Sequence, residues 1–265
     1  MTLGIIGCGK MAQALLGGAT RAGVLADHKV LFFDPAAEAR EAFAKVVPDG
    51  IDSDFSSLES ESDALLFCVK PHAVLSILSD LQPRSEGRLI ISIAAGIALS
   101  ALEETAQADD AVVRVMPNTP ALVGEAASAV SFGKNVTDRH KTFVRSLLTA
   151  VGTLSEVPEN LMDAVTGLSG SGPAYVFTII EALTDAGVLN GLPRPEAKTL
   201  ATQTLLGATK MVAESDDHPA ALRDMVTSPG GTTIAGLAAL EKGGLRATLQ
   251  DAVTAATRRS RELGA

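Results

Sequence analysis

Residues 3–12 read Leu3-Gly4-Ile5-Ile6-Gly7-Cys8-Gly9-Lys10-Met11-Ala12: a short apolar run, a glycine turn and the start of a helix-forming run. Strand, glycine turn and helix in this order form the fingerprint of dinucleotide-binding α/β domains. Gly7 permits the tight turn, and Gly9 lets a pyrophosphate approach the backbone. Ala12 occupies the third fingerprint position, which requires only close packing of helix on strand. We therefore predict a cofactor site that includes Gly7, Gly9, Lys10, Met11 and Ala12.

A second apolar run, Val30–Phe33, ends in an acidic residue, Asp34. An acidic residue at this distance from the glycine turn is where the adenine ribose hydroxyls are bound. A carboxylate accepts a hydrogen bond from a free hydroxyl and repels a phosphate in the same place. The nearest cations, Lys29 and Arg40, do not occupy the turn position expected of a phosphate-binding arginine. The sequence therefore favours NADH over NADPH.

Composition indicates the class of protein. The 265 residues are 46% hydrophobic and 20% charged, which is typical of a globular protein with a core, and the length favours two domains. A net charge of −9 argues against nucleic acid or an anionic membrane as a partner. The two cysteines form no disulfide framework, and the histidines show no metal-ligand spacing. With neither a signal peptide nor a membrane-spanning run apparent, we expect a cytoplasmic protein without metal.

The first part of the chain, residues 1–158, alternates short apolar runs with helical or loop segments, which predicts an α/β domain. Several runs are apolar on both faces, as in buried parallel strands, so we expect a Rossmann-type doubly wound sheet. The predicted strands are Leu3–Ile6, Val30–Phe33, Ala64–Val69, Leu89–Ile93, Val112–Met116, Ala126–Phe132 and Thr153–Val157.

Ligands of such sheets lie at the carboxyl ends of the strands. The residues at the ends of the third, fourth and fifth predicted strands therefore join the cofactor site: Val69, Lys70, Pro71, Ala94, Ala95, Pro117 and Asn118. Structural alternatives stay open, because Lys70 can lie at a rim and the two alanines suit a plain strand-to-helix turn. Asn118 equally suits an Asn-Thr-Pro turn. Arg114, within a strand, is predicted to be a paired structural charge.

The second part, residues 159–265, is predicted to be an all-helical dimerisation domain, because strand patterns end and helical patterns take over. Small residues recur on many faces of these helices, which favours close packing and burial. With so few aromatic residues the domain buries little by itself, so dimerisation through it is expected. The predicted helices are Pro173–Leu189, Pro195–Ala213, Pro219–Val226, Thr233–Lys242 and Arg246–Leu263.

A turn rich in glycine and hydroxyl groups precedes the fourth of these helices, with the sequence Val226-Thr227-Ser228-Pro229-Gly230-Gly231-Thr232-Thr233-Ile234. Pro229 and the glycines turn the chain tightly and leave the backbone bare. We expect Thr232 or Thr233 to cap the helix, whose first-turn N–H groups are free to bind an anion such as a carboxylate. The alternative is that these residues only turn the chain and cap a helix.

Five motifs resemble those of the pyrroline-5-carboxylate reductase family, and they run in order from the first strand towards the last helix. They are Gly7-Cys8-Gly9-Lys10-Met11-Ala12, Val69-Lys70-Pro71, Arg114-Val115-Met116-Pro117-Asn118-Thr119-Pro120, Gly167-Leu168-Ser169-Gly170-Ser171-Gly172-Pro173-Ala174-Tyr175 and Thr227-Ser228-Pro229-Gly230-Gly231-Thr232-Thr233. The resemblance implies reduction of Δ1-pyrroline-5-carboxylate to L-proline with NADPH or NADH. It also implies a dimer with interleaved helical domains, in some members assembled further into rings of dimers.

The resemblance also assigns substrate roles. Ser228, Gly230, Gly231, Thr232 and Thr233 are expected to bind the substrate, with Ser228 and Thr233 as the catalytic candidates. The threonine matching Thr233 lies against the ring nitrogen in the family, and because a hydroxyl is a weak acid its role is to orient the iminium or relay a proton. Asp34 departs from many members, which carry a basic or neutral residue there, so the resemblance does not extend the common NADPH preference to this chain.

Two other functions fit the same plan of domains. A β-hydroxyacid dehydrogenase uses a lysine in the glycine-rich helix that opens the second domain, but here no lysine follows Gly172 until Lys198. A non-catalytic nucleotide sensor on the same fold is the other alternative. Every candidate site segment is intact, which favours an enzyme over a sensor.

Overall fold

The computed structural model describes residues 1–264 and forms, within them, one eight-stranded sheet in the order β3-β2-β1-β4-β5-β6-β7-β8. The first six positions of this order repeat the Rossmann arrangement, whose strand order reverses beside β1. This confirms the predicted fold class. The strands are β1 Thr2–Ile6, β2 Lys29–Phe33, β3 Ile51–Asp52, β4 Ala64–Phe67, β5 Leu89–Ser92, β6 Ala111–Met116, β7 Ala126–Phe132 and β8 Gly152–Glu156.

Two features of the sheet differ from the predicted strands. β3 has only two residues, both exposed, so it carries no apolar run by which to recognise it. β7 runs antiparallel to β6, whereas the other neighbouring pairs among the described residues are parallel. Only a short connection with the 3-10 turn Thr119–Val123 joins β6 to β7, and a parallel crossover needs a dozen residues or more.

Helices cover both faces of the sheet, because side chains of each strand alternate between two apolar clusters. Leu3 and Ile5 of β1 pack with the first and sixth helices, whereas Ile6 packs with the third, fourth and fifth. The helices of this part are α1 Lys10–Arg21, α2 Ala37–Ala44, α3 Phe55–Glu61, α4 Pro71–Ser79, α5 Leu99–Thr105, α6 Asp138–Thr149 and α7 Met162–Val165, the last continuing as the π-helix Thr166–Gly170.

The chain forms two compact units. The first comprises Met1–Ser171 together with Thr254–Ala265, and the second comprises Gly172–Val253. The first compact unit extends to Ser171 before the second begins. The predicted domain boundary after residue 158, where the strand pattern ends, stays a prediction. The end of the chain also returns to the first unit, which no local pattern indicates.

The second unit is helical, as predicted. Its helices are α8 Gly172–Leu189, α9 Arg194–Glu214, α10 Pro219–Met225, α11 Thr232–Lys242 and the first part of α12 Leu245–Leu263. Pro173, Pro195 and Pro219 lie in first turns, where a missing N–H costs nothing. Gly191 and Gly244 have the positive φ angles of helix stops.

The helices of the second unit expose much apolar surface. Within the described residues α8 buries only Thr184, α9 only Ala197 and Ala201, and α11 no residue. The expected burial of these helices is therefore not achieved within one chain. Apolar surface of this extent marks an interface, and exposed examples are Val176, Phe177, Leu183, Leu189, Leu200, Leu206 and Met211. Across residues 1–264, no helix combines the length and hydropathy needed to cross a bilayer.

Candidate functional site

The glycine turn after β1 has the geometry that the fingerprint predicts. Gly7 has φ +97°, and a β-carbon there would lie 2.8 Å from the carbonyl oxygen of Cys68. Its N–H donates to the carbonyl of Phe33 at 2.9 Å, which ties the turn to the end of β2. A side chain at this position is therefore excluded by both backbone conformation and space.

Gly9 has a different role, because it is the N-cap residue of α1 and has an extended backbone conformation. A β-carbon at Gly9 would meet no described atom within 4 Å, and no side chain caps the helix. The first-turn N–H groups of α1 therefore face open space, where an anion is favoured by the helix dipole. These features fit the pyrophosphate of a dinucleotide. Lys10 is exposed at the first helical position, and Ala12 is fully buried, as its packing role requires.

Asp34 lies at the end of β2 beside the glycine turn. Its Oδ2 accepts a hydrogen bond from the Cys8 N–H at 2.8 Å, and its Oδ1 accepts one from the Ala36 N–H at 2.9 Å. Arg40 donates to the backbone carbonyl of Asp34 at 2.7 Å and pairs with Asp52 at 3.0 Å. The guanidinium of Arg40 is thus bound away from the carboxylate oxygens, and a negative charge remains at the predicted ribose position.

Two thiols lie under the turn. Burial, followed by the charge of Asp34, raises the pKa of Cys8 to about 12. Burial and the neighbouring Cys8 raise the pKa of Cys68 as well. Both groups are therefore neutral thiols at neutral pH and pack as small apolar side chains. One further contact was not anticipated from the sequence: the Gln13 amide donates to the Cys8 carbonyl at 2.8 Å and braces the turn.

The carboxyl ends of β4 and β5 bring further predicted residues to the same edge of the sheet, because both strands run parallel to β1. Lys70 is exposed and is the N-cap residue of α4, which begins at Pro71, and Val69 is half-buried beside it. Ala94 is buried, and Ala95 is half-buried in the loop between β5 and α5. A contact of these two alanines with the nicotinamide stays a prediction.

Asn118 follows Pro117, both of them buried, and its side chain already has protein partners. The Asn118 Nδ2 donates to the Ser169 carbonyl at 3.0 Å, and its Oδ1 accepts from the Ala127 N–H at 2.9 Å. These contacts support the structural alternative, and a contact of Asn118 with the cofactor stays a prediction. Arg114 of β6 pairs with Glu159 at 2.5 Å, which confirms it as a paired buried charge.

The predicted substrate residues form a turn at the start of α11, in the second unit. The Gly231 N–H donates to the Ser228 carbonyl at 3.1 Å, and Gly230 has φ +67°. Proline at the second position and a positive φ at the third are the marks of a type II turn. Ser228 is exposed and Thr233 is half-buried. Among residues 1–264, no group hydrogen-bonds to either of these two hydroxyls.

The predicted cap of this helix is wrong. Gly231 is the N-cap residue and makes no side-chain bond, whereas Thr232 and Thr233 are the first two residues of α11. The turn places the chain in a helical conformation one residue earlier than the hydroxyl pattern suggests. This correction strengthens the anion site, because a side-chain oxygen no longer occupies the first-turn N–H groups.

A cavity of about 880 Å³ lies elsewhere in the first unit. Its lining includes Met1, His28, Arg84 and His140, near the amino ends of the strands and at the edge opposite the glycine turn. Burial, followed by the charge of Arg139, lowers the pKa of His140. None of the predicted site residues lines this cavity. The predicted cofactor residues lie instead at the carboxyl ends of the strands.

Two family models match the chain. One, described as pyrroline-5-carboxylate reductase dimerisation, matches residues 159–263. The other, described as NADP oxidoreductase coenzyme F420-dependent, matches residues 2–96. A pyrroline-5-carboxylate reductase of Methanosarcina acetivorans is 46% identical over 99% of this chain and 97% of its own length. One of Arabidopsis thaliana is 47% identical over 98% of this chain and 95% of its own.

Solved structures agree with these relatives. A pyrroline carboxylate reductase of Plasmodium falciparum with NADP bound is 36% identical and has a TM-score of 0.87. The match covers 100% of this chain and 98% of that protein's chain. A pyrroline-5-carboxylate reductase of Coxiella burnetii is 32% identical, with 99% and 98% coverage and a TM-score of 0.91. The similarity therefore extends over both units.

Proposed function

This chain belongs to the pyrroline-5-carboxylate reductase family, and we infer from this membership that it reduces L-Δ1-pyrroline-5-carboxylate to L-proline with NADPH or NADH. The reaction is the last step of proline biosynthesis. The observation that carries the inference is the 46% identity over nearly the whole of both chains, which includes the cofactor turn and the hydroxyl-rich turn alike.

We propose that the first unit binds the cofactor along the carboxyl edge of its sheet. The pyrophosphate is held at the start of α1, where Gly9 leaves the N–H groups open. Asp34 accepts hydrogen bonds from the adenine ribose, and this charge favours NADH over NADPH. Ala94 and Ala95 allow close approach of the nicotinamide. The bound cofactor supplies the hydride that the imine carbon accepts.

The substrate is a small ring with one carboxylate and one C=N bond. We propose that its carboxylate is bound by the first-turn N–H groups of α11, with Ser228 adding a hydroxyl. Fixed backbone donors at a helix start stabilise an anion by up to ~2 kcal/mol in a partly buried setting. Gly230 and Gly231 support this arrangement, since neither carries a side chain that would cover the N–H groups.

The imine nitrogen requires a proton during reduction. The Thr233 hydroxyl, half-buried and without a protein partner among residues 1–264, is available to hydrogen-bond to this nitrogen. A hydroxyl is a weak acid by itself, so Thr233 orients the iminium or relays a proton from water. Ser228 is the second hydroxyl near the same turn and is the other candidate for this role.

The family match to a dimerisation domain supports self-association through residues 159–263. The exposed apolar residues of α8 and α9 are the surface that such association covers. We propose a homodimer as the basic assembly, with a ring of dimers as its higher form. Size-exclusion chromatography with light scattering tests both: a monomer contradicts the first proposal, and a dimer alone contradicts the second.

The activity is tested by oxidation of NADH and of NADPH, measured separately with purified protein and Δ1-pyrroline-5-carboxylate. Oxidation accompanied by an equal amount of proline supports the proposed reaction, and the ratio of the two rates tests the role of Asp34. A folded dimer that binds both cofactors but oxidises neither contradicts the proposal and supports a nucleotide sensor.

A further inference from the structure

The end of α12 returns to the first unit and lies against the loop between β5 and α5. Gly96 in this loop is buried with φ +79°, and a β-carbon there would lie 3.2 Å from the Cβ of Leu263. A β-carbon at Gly264 would collide with the Gly96 carbonyl oxygen. The last turn of α12 therefore covers this loop without space for a further atom between them.

Asp163 fixes this last turn to the nucleotide-binding unit. Its Oδ1 accepts a hydrogen bond from the Ser260 hydroxyl at 2.7 Å, and Ser260 is only 4% exposed. The same oxygen lies 3.8 Å from Arg114 Nη2, and Arg261 Nε lies 4.0 Å from Oδ2. A buried hydroxyl bound to a charged acceptor is among the stronger protein hydrogen bonds.

Glu159 fixes the other end of the loop. Its Oε1 accepts from Arg114 Nη1 at 2.5 Å and from the Leu99 N–H at 2.9 Å. Leu99 is the first residue of α5, so this bond holds the point where the loop becomes a helix. Arg114 of β6 thus lies next to both carboxylates, and its side chain is 5% exposed.

From this network we propose that Asp163 and Ser260 are positioning residues for the cofactor. They hold the last turn of α12 on the loop that carries Ala94 and Ala95, and so fix the surface against which the nicotinamide lies. The proposal rests on the proposed function, because it takes these alanines as the nicotinamide contact. It adds that the chain end sets the cofactor geometry through this loop, since neither Asp163 nor Ser260 is among the predicted cofactor contacts.

The clamp is the last turn of α12, bonded through Ser260 to Asp163 and packed on the loop between β5 and α5. Hydrogen–deuterium exchange of the full-length protein without cofactor tests this clamp independently of activity. In Ser260→Ala the amides of residues 94–99 exchange at least about tenfold faster than in the wild type. The control is Thr254→Ala, which removes an exposed hydroxyl from the same helix and leaves the exchange of these amides unchanged. Unchanged exchange of residues 94–99 in Ser260→Ala overturns the proposal.

Steady-state kinetics test the consequence for the cofactor. Ser260→Ala raises the KM for the preferred cofactor about tenfold and changes the KM for the imine by less than about twofold. Faster loop exchange with an unaltered cofactor KM overturns the positioning role. If the wild type has no reductase activity, the proposed function fails, whereas the exchange result still decides whether the clamp exists.

A second variant guards against misfolding of Ser260→Ala. Removal of residues 262–265 takes away Leu263, which covers Gly96, and leaves the bond between Ser260 and Asp163 in place. Exchange again rises at residues 94–97 and the cofactor KM again rises, without a change in the exchange of β1 or β4. A truncated protein that matches the wild type in both measurements overturns the proposal.

Discussion

The carboxylate of Asp34 accepts a hydrogen bond from the backbone N–H of Cys8, with 2.8 Å between Oδ2 and the nitrogen. The bond joins the end of β2 to the glycine turn after β1, so the segments that we propose bind the ribose and the pyrophosphate are held in one arrangement. The negative charge that braces the turn is also the one that faces the adenine ribose in our proposal. In this proposal the local structure of the turn and the cofactor preference depend on the same side chain.

Asp34→Asn tests the preference with little change of shape. The amide oxygen keeps one of the two backbone N–H bonds to Cys8 and Ala36, and the amide NH2 group cannot accept the other. We expect the ratio of kcat/KM for NADPH to that for NADH to rise about tenfold, or about 1.4 kcal/mol, as the repulsion of a phosphate is removed. Glu38→Gln, at an exposed position of α2, removes the same charge and serves as the control. Equal changes in both cofactors mean that Asp34 does not contact the ribose. The separate variant Asp34→Ala should weaken NADH more than NADPH.

Substitution by alanine is expected to lower stability at Gly7 and cofactor affinity at Gly9. Gly7→Ala forces a positive φ and a contact with Cys68, so the free energy of unfolding falls by about 1–3 kcal/mol. Gly9→Ala meets no protein atom, so its stability stays near that of the wild type while the cofactor Kd rises roughly tenfold or more. Urea denaturation and cofactor titration of both variants measure the two effects. A Gly9→Ala protein with normal cofactor affinity contradicts the pyrophosphate site.

Thr233→Ala is expected to lower kcat by about 100-fold, the lower end of what positioned acid–base groups contribute. The cofactor Kd stays unchanged, because no predicted cofactor residue lies in α11. Thr248→Ala removes another threonine hydroxyl from the second unit, one that donates to the Gly244 carbonyl, and is the matched control. Unaltered turnover of Thr233→Ala would remove this residue from the site.

Asn118→Ala distinguishes the two interpretations of this residue. It leaves the Ala127 N–H and the Ser169 carbonyl without their partner, so we expect a loss of about 1–3 kcal/mol in the free energy of unfolding. Asn135→Ala also removes two side-chain bonds, but at an exposed position, and should cost less. A normal denaturation midpoint together with a raised cofactor KM would instead indicate a direct cofactor contact.

Cys8 is expected to resist thiol reagents in the folded protein. With its pKa raised to about 12, it is protonated at pH 8, and only the thiolate is reactive. Titration with Ellman's reagent should give near zero thiols in the native protein and two after denaturation. The folded state favours the protonated thiol of Cys8, because its pKa lies above the usual 9.0. The contribution of this thiol to the free energy of unfolding is therefore complete below pH 9.0 and falls as the pH rises towards 12. Rapid labelling of Cys8 in the native protein at pH 8 contradicts its burial.

Much of the fold was predictable from local signals. The apolar runs and Gly7 define strands and a turn through periodicity and backbone sterics, which act over a few residues. Pro195 and Gly191 mark helix ends for the same reason. The predicted cap at Thr232 or Thr233 was wrong because a glycine in extended conformation competes for the N-cap position without forming a side-chain bond.

The sequence by itself determined seven of the eight strands in their order, the glycine turn after β1 and the family motifs, since each depends on neighbouring residues. The tertiary structure alone decided the antiparallel direction of β7, the internal partners of Asn118 and the bond between Ser260 and Asp163, which are 97 residues apart. Contacts of this kind depend on how complete elements pack. Hydrogen bonding and burial at such positions are fixed only when distant parts of the chain meet, and no local pattern specifies them.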